Sequence, residues 1–165
     1  MKHHKLQTAE TAGTYIVANP VTESDILEMA RQLSTDRLAK GRSIENPSSV
    51  FTYLQSLLAD YEYEVFGVLF LDTKHRVIRF DEMFRGTLES ARVYPREVAK
   101  AALSLNAAAV ILVHNHPSGD PEPSQTDRQL TDRIREALNL IEIRTLDHVV
   151  VGLDGCVSLA ERGYL

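Results

Sequence analysis

Two histidines and an aspartate in one short stretch of the chain have the types and spacing of metal ligands. His114 and His116 follow an apolar run, and in extended backbone a spacing of two puts both imidazoles on the same side. A proline- and glycine-rich loop separates them from Ser124, which with Asp127 has the spacing of a helix capping box. The first turn of that helix would hold Asp127, and the compact loop lets its carboxylate reach the histidines. We therefore predict a metal site made of His114, His116 and Asp127.

Zinc is the metal that this set of donors favours. Two neutral imidazoles and one carboxylate leave a fourth tetrahedral position for water, as in catalytic zinc sites, and zinc can lower the pKa of that water to about 7. Each residue also has an ordinary interpretation, because a histidine at a strand end is usually a hydrogen-bonded polar residue and a capping box needs no metal. Neither interpretation explains two histidines after an otherwise apolar strand. Cys156 is the only cysteine, which excludes cysteine-rich zinc sites.

The composition is that of one ordinary globular domain. The chain has 165 residues, 44% of them hydrophobic and 25% charged, and a net charge of -5. No apolar run reaches the roughly 18 residues needed to cross a bilayer, and the N-terminus lacks the apolar segment of a signal peptide. We therefore expect a cytoplasmic protein with no membrane partner. The acidic balance gives no general attraction to nucleic acid, so the charge does not support DNA as a partner.

Alternating helices and strands must position these residues. Helical spacing of apolar residues predicts four helices, at residues 22–40, 47–61, 95–105 and 124–141. Apolar runs and alternating patterns predict five strands, at residues 65–71, 76–84, 108–113, 146–152 and 156–159. The interleaving predicts an α/β fold, a mixed sheet flanked by helices. We divide the chain into an N-terminal arm with one helix (1–45) and a main domain (46–165).

The order His-x-His, seven residues, Ser, two residues, Asp resembles the JAMM motif of JAB/MPN metalloproteases. Residues 46–165 resemble more closely the RadC-type JAB family, through the segments 64–71, 84–88, 95–98, 114–127 and 147–148. The resemblance implies the JAB/MPN (cytidine-deaminase-like) architecture and a zinc-dependent peptidase or isopeptidase-like site. Longer members of that family carry a helix-hairpin-helix module ahead of this domain, and because the first 45 residues are too short for it and lack its paired glycine-containing hairpins, we expect a short form. Asn115 stands where deubiquitinating relatives usually have Ser or Thr, so ubiquitin-type substrates are not implied.

The resemblance also implies roles for residues outside the ligand set. JAB-type sites use an upstream glutamate, just before a buried strand, that holds the metal-bound water and passes its proton to the leaving amine. Glu64 has that position, and we assign it the role of general base. Three other glutamates stay open as alternatives: Glu62, Glu82 and Glu89. Ser124 would stabilise the oxyanion of a tetrahedral intermediate. Apart from the resemblance, His148 at the start of a predicted strand is a candidate for a hydrogen bond to a ligand, with a purely structural strand histidine as the alternative.

Two hypotheses about function compete. The first is a zinc-dependent hydrolase of the JAMM metalloprotease type, in which metal-activated water attacks a peptide or isopeptide bond of a peptide or protein substrate. The second is a DNA-repair-associated accessory or binding protein of the RadC family with little or no hydrolytic activity. DNA binding that survives loss of the metal would favour the second. The letters His-Asn-His at 114–116 also spell the name of a nuclease family. They are not evidence for a nuclease function, because that family spreads its catalytic residues over a hairpin and a helix. No motif specifies the substrate or the oligomeric state.

Overall fold

A computed structural model describes residues 6–11, 14–17, 19–37, 44, 47–58, 61–86 and 93–165. The N-terminal arm holds an antiparallel hairpin of β1 (Leu6–Thr8) and β2 (Tyr15–Val17), followed by helix α1 (Glu23–Arg37). The hairpin was missed by the prediction of an arm with a single helix, since strands of three residues leave too little periodicity to detect. The predicted start of α1 is confirmed, because the backbone N–H of Asp25 donates to the hydroxyl of Thr22 at 3.2 Å.

Five strands form the central sheet: β3 (Val65–Leu71), β4 (Val77–Arg85), β5 (Ala109–Asn115), β6 (Arg144–Val151) and β7 (Cys156–Ser158). Their order across the sheet is β4-β3-β5-β6-β7. β5 and β6 run parallel, and the other neighbours are antiparallel. The predicted mixed α/β sheet is therefore confirmed. All residues of β3 and β5 are buried, which explains why β3 and residues 109–113 of β5 are continuous apolar runs in the sequence.

Three helices cover the sheet: α2 (Pro47–Leu58), α3 (Pro95–Ser104) and α4 (Gln125–Asn139). α2 packs on one face, and α3 and α4 pack on the other. Alternate residues of β3 show the division: Val65 and Leu69 belong to the core under α2, whereas Phe66 and Val68 belong to the core under α3 and α4. Across the described parts of the chain, no helix combines the length and apolar character needed to cross a membrane.

The parallel pair β5 and β6 is joined through α4, so that β5, α4 and β6 form a βαβ unit. The loop at residues 116–124 leaves the carboxyl end of β5 and leads into the first turn of α4. In open α/β sheets, ligands bind beyond the carboxyl ends of the strands. The three predicted metal ligands lie at this end of β5.

The loop after β5 is fastened to the turn between β6 and β7. The backbone N–H of His116 donates to the carbonyl of Val151 at 2.8 Å, and that of Leu153 donates to the carbonyl of Gly119 at 3.0 Å. Gly152 allows this approach, because a Cβ at that position would overlap the carbonyl oxygen of Gly119. Gly119 itself has a φ of 94°, a conformation that favours glycine. The backbone around His116 is thus fixed by hydrogen bonds to the β6–β7 turn and the strand before it.

We expect Gly152→Ala to lower the free energy of unfolding by about 1–3 kcal/mol, because the added methyl group overpacks a contact between two backbone segments. Asp154→Ala in the same turn is the matched control, since this exposed side chain should change stability by no more than about 0.5 kcal/mol. Denaturant unfolding of both variants beside the wild type measures the difference. Equal stability of all three proteins would contradict the packing of loop against turn.

Candidate metal centre

The structure brings the three predicted ligands together. Nε2 of His114 lies 3.0 Å from Nε2 of His116 and 3.4 Å from Oδ1 of Asp127. Nε2 of His116 lies 3.8 Å from Oδ2 of the same carboxylate. One ligand atom of each residue is within 4.8 Å of the other two. Nitrogen and oxygen ligands of a tetrahedral zinc ion are about 3.3–3.5 Å apart, so the three residues fit a single metal ion.

The carboxylate of Asp127 is oriented by a capping box, as predicted. The backbone N–H and the hydroxyl of Ser124 both donate to Oδ2 of Asp127, at 2.7 and 2.6 Å, and the backbone N–H of Asp127 donates to the Ser124 hydroxyl at 3.2 Å. Oδ1 is buried and, among the described residues, has no hydrogen-bond partner. Buried polar atoms are rarely left in this state, and an unpartnered carboxylate oxygen beside the His114 ring suits a bound cation.

The protonation state of Asp127 also suits a metal. Its side chain is 1% exposed, and burial alone would raise the pKa of the carboxyl group. The hydrogen bonds from the backbone and hydroxyl of Ser124 oppose burial, and the pKa of Asp127 lies well below its ordinary value. The carboxylate therefore stays ionised at neutral pH, which is the form that binds metal ions.

His116 has its outer ring nitrogen fixed by the loop. Nδ1 lies 2.8 Å from the backbone carbonyl oxygen of Asp120. A carbonyl oxygen only accepts, so Nδ1 carries a proton, and in the neutral tautomer that binds a metal the Nε2 lone pair would point into the site. The His116 side chain is 16% exposed, whereas that of His114 is fully buried. The site therefore opens to solvent on the side of His116.

His148 lies directly behind His114, as proposed for it from the sequence. Nδ1 of His114 is 2.8 Å from Nε2 of His148, and Nδ1 of His148 is 2.5 Å from the hydroxyl of Thr131. Complete burial lowers the pKa of His148 well below its ordinary value, and the nearby His114 adds to this effect, so the ring is neutral. Thr131 was missed by sequence reasoning. Its one signal is its position, one helical turn after Asp127 on the same face of α4.

Glu64 directly precedes β3, whose first residues lie beside the end of β5 that carries His114. Phe66 is opposite His114 on the face covered by α3 and α4, and Glu64 stands two residues before Phe66 in the chain. The side chain of Asn115 holds this end of β3: it accepts from the backbone N–H of Val65 at 2.7 Å and donates to the carbonyl of residue 63 at 3.1 Å. The role of Glu64 as general base stays a prediction.

The alternative glutamates have other positions. Glu82 is paired with Gly67 and therefore lies toward the face covered by α2, away from His114. Its two carboxylate oxygens accept from Tyr61 and Arg85, each at 2.7 Å. The hydrogen bond to Glu82 raises the pKa of the Tyr61 phenol to about 12. Glu62 is exposed, and Glu89 lies outside the described residues.

The structure also shows where the Ser124 hydroxyl and the Cys156 thiol lie. Ser124 is exposed at the edge of the site, and its hydroxyl proton is donated to Asp127. Its role in stabilising an oxyanion stays a prediction. Cys156 packs against the core under α2, on the other face of the sheet, and burial raises the pKa of its thiol to about 11. The thiol is therefore protonated at neutral pH and remote from the histidines.

A sequence profile described as the RadC-like JAB domain matches residues 44–164 of this chain. The chain belongs to the RadC-like JAB family. The resemblance seen in the sequence is therefore confirmed, and the mixed sheet agrees with the JAB/MPN fold that it implies.

Curated members of the RadC-like JAB family align over most of the chain. A UPF0758 protein of Vibrio cholerae serotype O1 (strain ATCC 39315 / El Tor Inaba N16961) is 53% identical over 151 residues, which are 92% of this chain and 95% of the relative. A UPF0758 protein of Halorhodospira halophila (strain DSM 244 / SL1) is 56% identical over 139 residues, which are 84% of this chain but 62% of the relative. The chain thus spans nearly all of one relative and less than two thirds of the other. Neither name states an activity.

We expect the purified protein to bind one zinc ion per chain and Asp127→Ala to lose it, because the variant lacks both an oxygen ligand and the cap that aims it. The loss of affinity should exceed the roughly 10–100-fold that follows removal of an outer hydrogen-bond partner. Asp132→Ala is the matched control, since it removes a half-exposed carboxylate of α4 that pairs with Arg135. Elemental analysis and titration against a competing chelator measure both. Zinc binding by Asp127→Ala at wild-type affinity would remove Asp127 from the ligand set.

Proposed function

We propose that this chain is a zinc-dependent hydrolase of the JAMM metalloprotease type that cleaves a peptide or isopeptide bond in a protein or peptide substrate. The convergence of three ligand atoms, from His114, His116 and Asp127, supports this most strongly. Three protein ligands leave a fourth tetrahedral position, which is the mark of a catalytic zinc site as opposed to a structural one. Membership of the RadC-like JAB family agrees with the proposal. A cytoplasmic location is part of it.

A bound zinc ion supplies Lewis-acid chemistry, because it lowers the pKa of a coordinated water and polarises a carbonyl oxygen. The ion would be held by His114, His116 and Asp127. Water and substrate would approach from the solvent-exposed side of the site, at His116. The same set of two histidines and one carboxylate also binds iron(II) in oxygenases. Elemental analysis distinguishes the two metals, and preferential retention of iron would contradict the proposal.

In this proposal Glu64 accepts the proton of the attacking water and returns it to the leaving amine. Its position just before β3, at the end of the sheet that carries His114, supports the role, as does the hydrogen bond by which Asn115 holds the backbone of Val65. Glu82 is less suited, because both of its oxygens are engaged on the opposite face. Ser124 lies exposed at the edge of the site, where its hydroxyl can exchange the bond to Asp127 for one to the oxyanion.

We expect Glu64→Gln to keep zinc and to lower kcat by about 10²–10⁴-fold, since the amide cannot accept the proton of the attacking water. Glu62→Gln is the matched control, because it makes the same change two residues away on an exposed side chain. The assay follows zinc-loaded protein on a panel of fluorogenic peptides and lysine-linked isopeptides.

Equal rates for the two variants and the wild type would remove Glu64 from the mechanism. A zinc-loaded wild type that cleaves nothing on the panel, yet binds duplex DNA equally well after zinc is removed, would favour the accessory role over the hydrolase. That binding should weaken steeply with salt if phosphates are the ligand.

A further inference from the structure

A continuous row of hydrogen-bonded groups runs from one metal ligand to the backbone of another. Nδ1 of His114 lies 2.8 Å from Nε2 of His148, and Nδ1 of His148 lies 2.5 Å from Oγ1 of Thr131. Oγ1 of Thr131 in turn lies 2.6 Å from the backbone carbonyl oxygen of Asp127. All four side chains are buried, with exposed fractions of 0 or 1%. Three elements contribute to this row, because His114 lies in β5, His148 in β6, and both Thr131 and Asp127 in α4.

The carbonyl oxygen at the end of this row decides the direction of every proton in it. A carbonyl oxygen only accepts, so the single hydroxyl proton of Thr131 is donated to Asp127. Oγ1 of Thr131 must then accept the Nδ1 proton of His148. A neutral imidazole has one ring proton, so Nε2 of His148 is an acceptor and takes the Nδ1 proton of His114. In the neutral form of His114, which has one ring proton, Nε2 then has a bare lone pair.

We propose that Thr131 and His148 are positioning residues that fix His114 in the tautomer able to bind metal. The inference rests on the metal site of the proposed function and extends it by two residues that touch neither metal nor substrate. His116 reaches the same tautomer by the ordinary route, a direct bond to a backbone carbonyl. His114 cannot, because its partner is another imidazole, and either ring of such a pair could be the donor. Only the hydroxyl of Thr131 makes the direction definite.

In this arrangement the two ligand histidines face each other with lone pairs, an approach that a bound cation would stabilise. With both protons on Nδ1, no proton lies between the two Nε2 atoms, which are 3.0 Å apart. Oδ1 of Asp127 faces the same space without a hydrogen-bond partner among the described residues. Three lone pairs then converge on one point, where a cation would be stabilised.

Thr131→Val tests the proposal, because valine keeps the branched shape and removes the hydroxyl. His148 is then free to carry its proton on Nε2 and donate to His114, which moves the proton of His114 to its own Nε2. Thr131→Ser keeps the hydroxyl and should restore the wild-type state. Thr145→Val in β6 is the matched control, because among the described residues the buried hydroxyl of Thr145 is one that has no hydrogen-bond partner to lose.

Two measurements test the relay, by which we mean the hydrogen bonds from His114 through His148 and Thr131 to the carbonyl of Asp127. Long-range proton–nitrogen NMR of metal-free, ¹⁵N-labelled protein assigns the tautomer of His114 and requires no bound metal. Chelator competition gives the zinc affinity. We expect His114 to carry its proton on Nδ1 in the wild type, Thr131→Ser and Thr145→Val, and to populate the Nε2-protonated form in Thr131→Val. The zinc affinity of Thr131→Val should fall about 10–100-fold below that of Thr145→Val.

Either of two results would overturn the relay: Nε2-protonated His114 in the wild type, or a Thr131→Val variant that matches Thr145→Val in zinc affinity. The wild-type spectrum alone decides the question if Thr131→Val does not fold. Failure of the proposed function looks different. A wild type with the expected tautomer and bound zinc but no hydrolysis would contradict the hydrolase and support the relay.

Discussion

Two imidazole nitrogens and a carboxylate oxygen face one another at the end of β5, and the hydrogen bonds around them supply no proton to separate them. Asp120 takes the outer proton of His116, and Ser124 binds the other oxygen of Asp127. Without a cation, such an arrangement lowers the free energy of unfolding, because buried acceptors without donors lose their interaction with water. A divalent cation removes that cost. Much of the local structure is explained by the need to hold these acceptors in place until a cation binds.

The fold provides the necessary rigidity through elements that are buried for other reasons. β5 is covered on both faces, so its last residues cannot shift without disturbing two cores. The loop that follows is tied to the β6–β7 turn through the close approach at Gly152. Helix α4 supplies Asp127 in its first turn and Thr131 in its second, so one element delivers a ligand and a support for another ligand. Glu64 directly precedes β3, and the side chain of Asn115 fixes the first residue of that strand by a hydrogen bond to its backbone.

The sequence predicted those parts of the site that depend on local spacing. The His-x-His pair and the capping box of Ser124 and Asp127 are short-range patterns, and the buried strands read as continuous apolar runs. The relay through His148 could not be predicted in the same way, because residues 17 positions apart meet only after β6 pairs with β5. The face taken by Glu82 depends on an irregularity in the β3–β4 register after Phe66, which no pattern indicates. The β1–β2 hairpin is too short to show a period.

The central claim is that two imidazoles and one carboxylate form an open zinc site, and X-ray absorption at the zinc edge tests it most directly. We expect the spectrum of the zinc-loaded protein to show four nitrogen or oxygen neighbours at about 2.0–2.2 Å, with the outer-shell scattering of two imidazole rings. The spectrum of His116→Ala should retain one ring at most. Sulfur at about 2.3 Å, or a first shell of oxygen without imidazole scattering, would contradict the account.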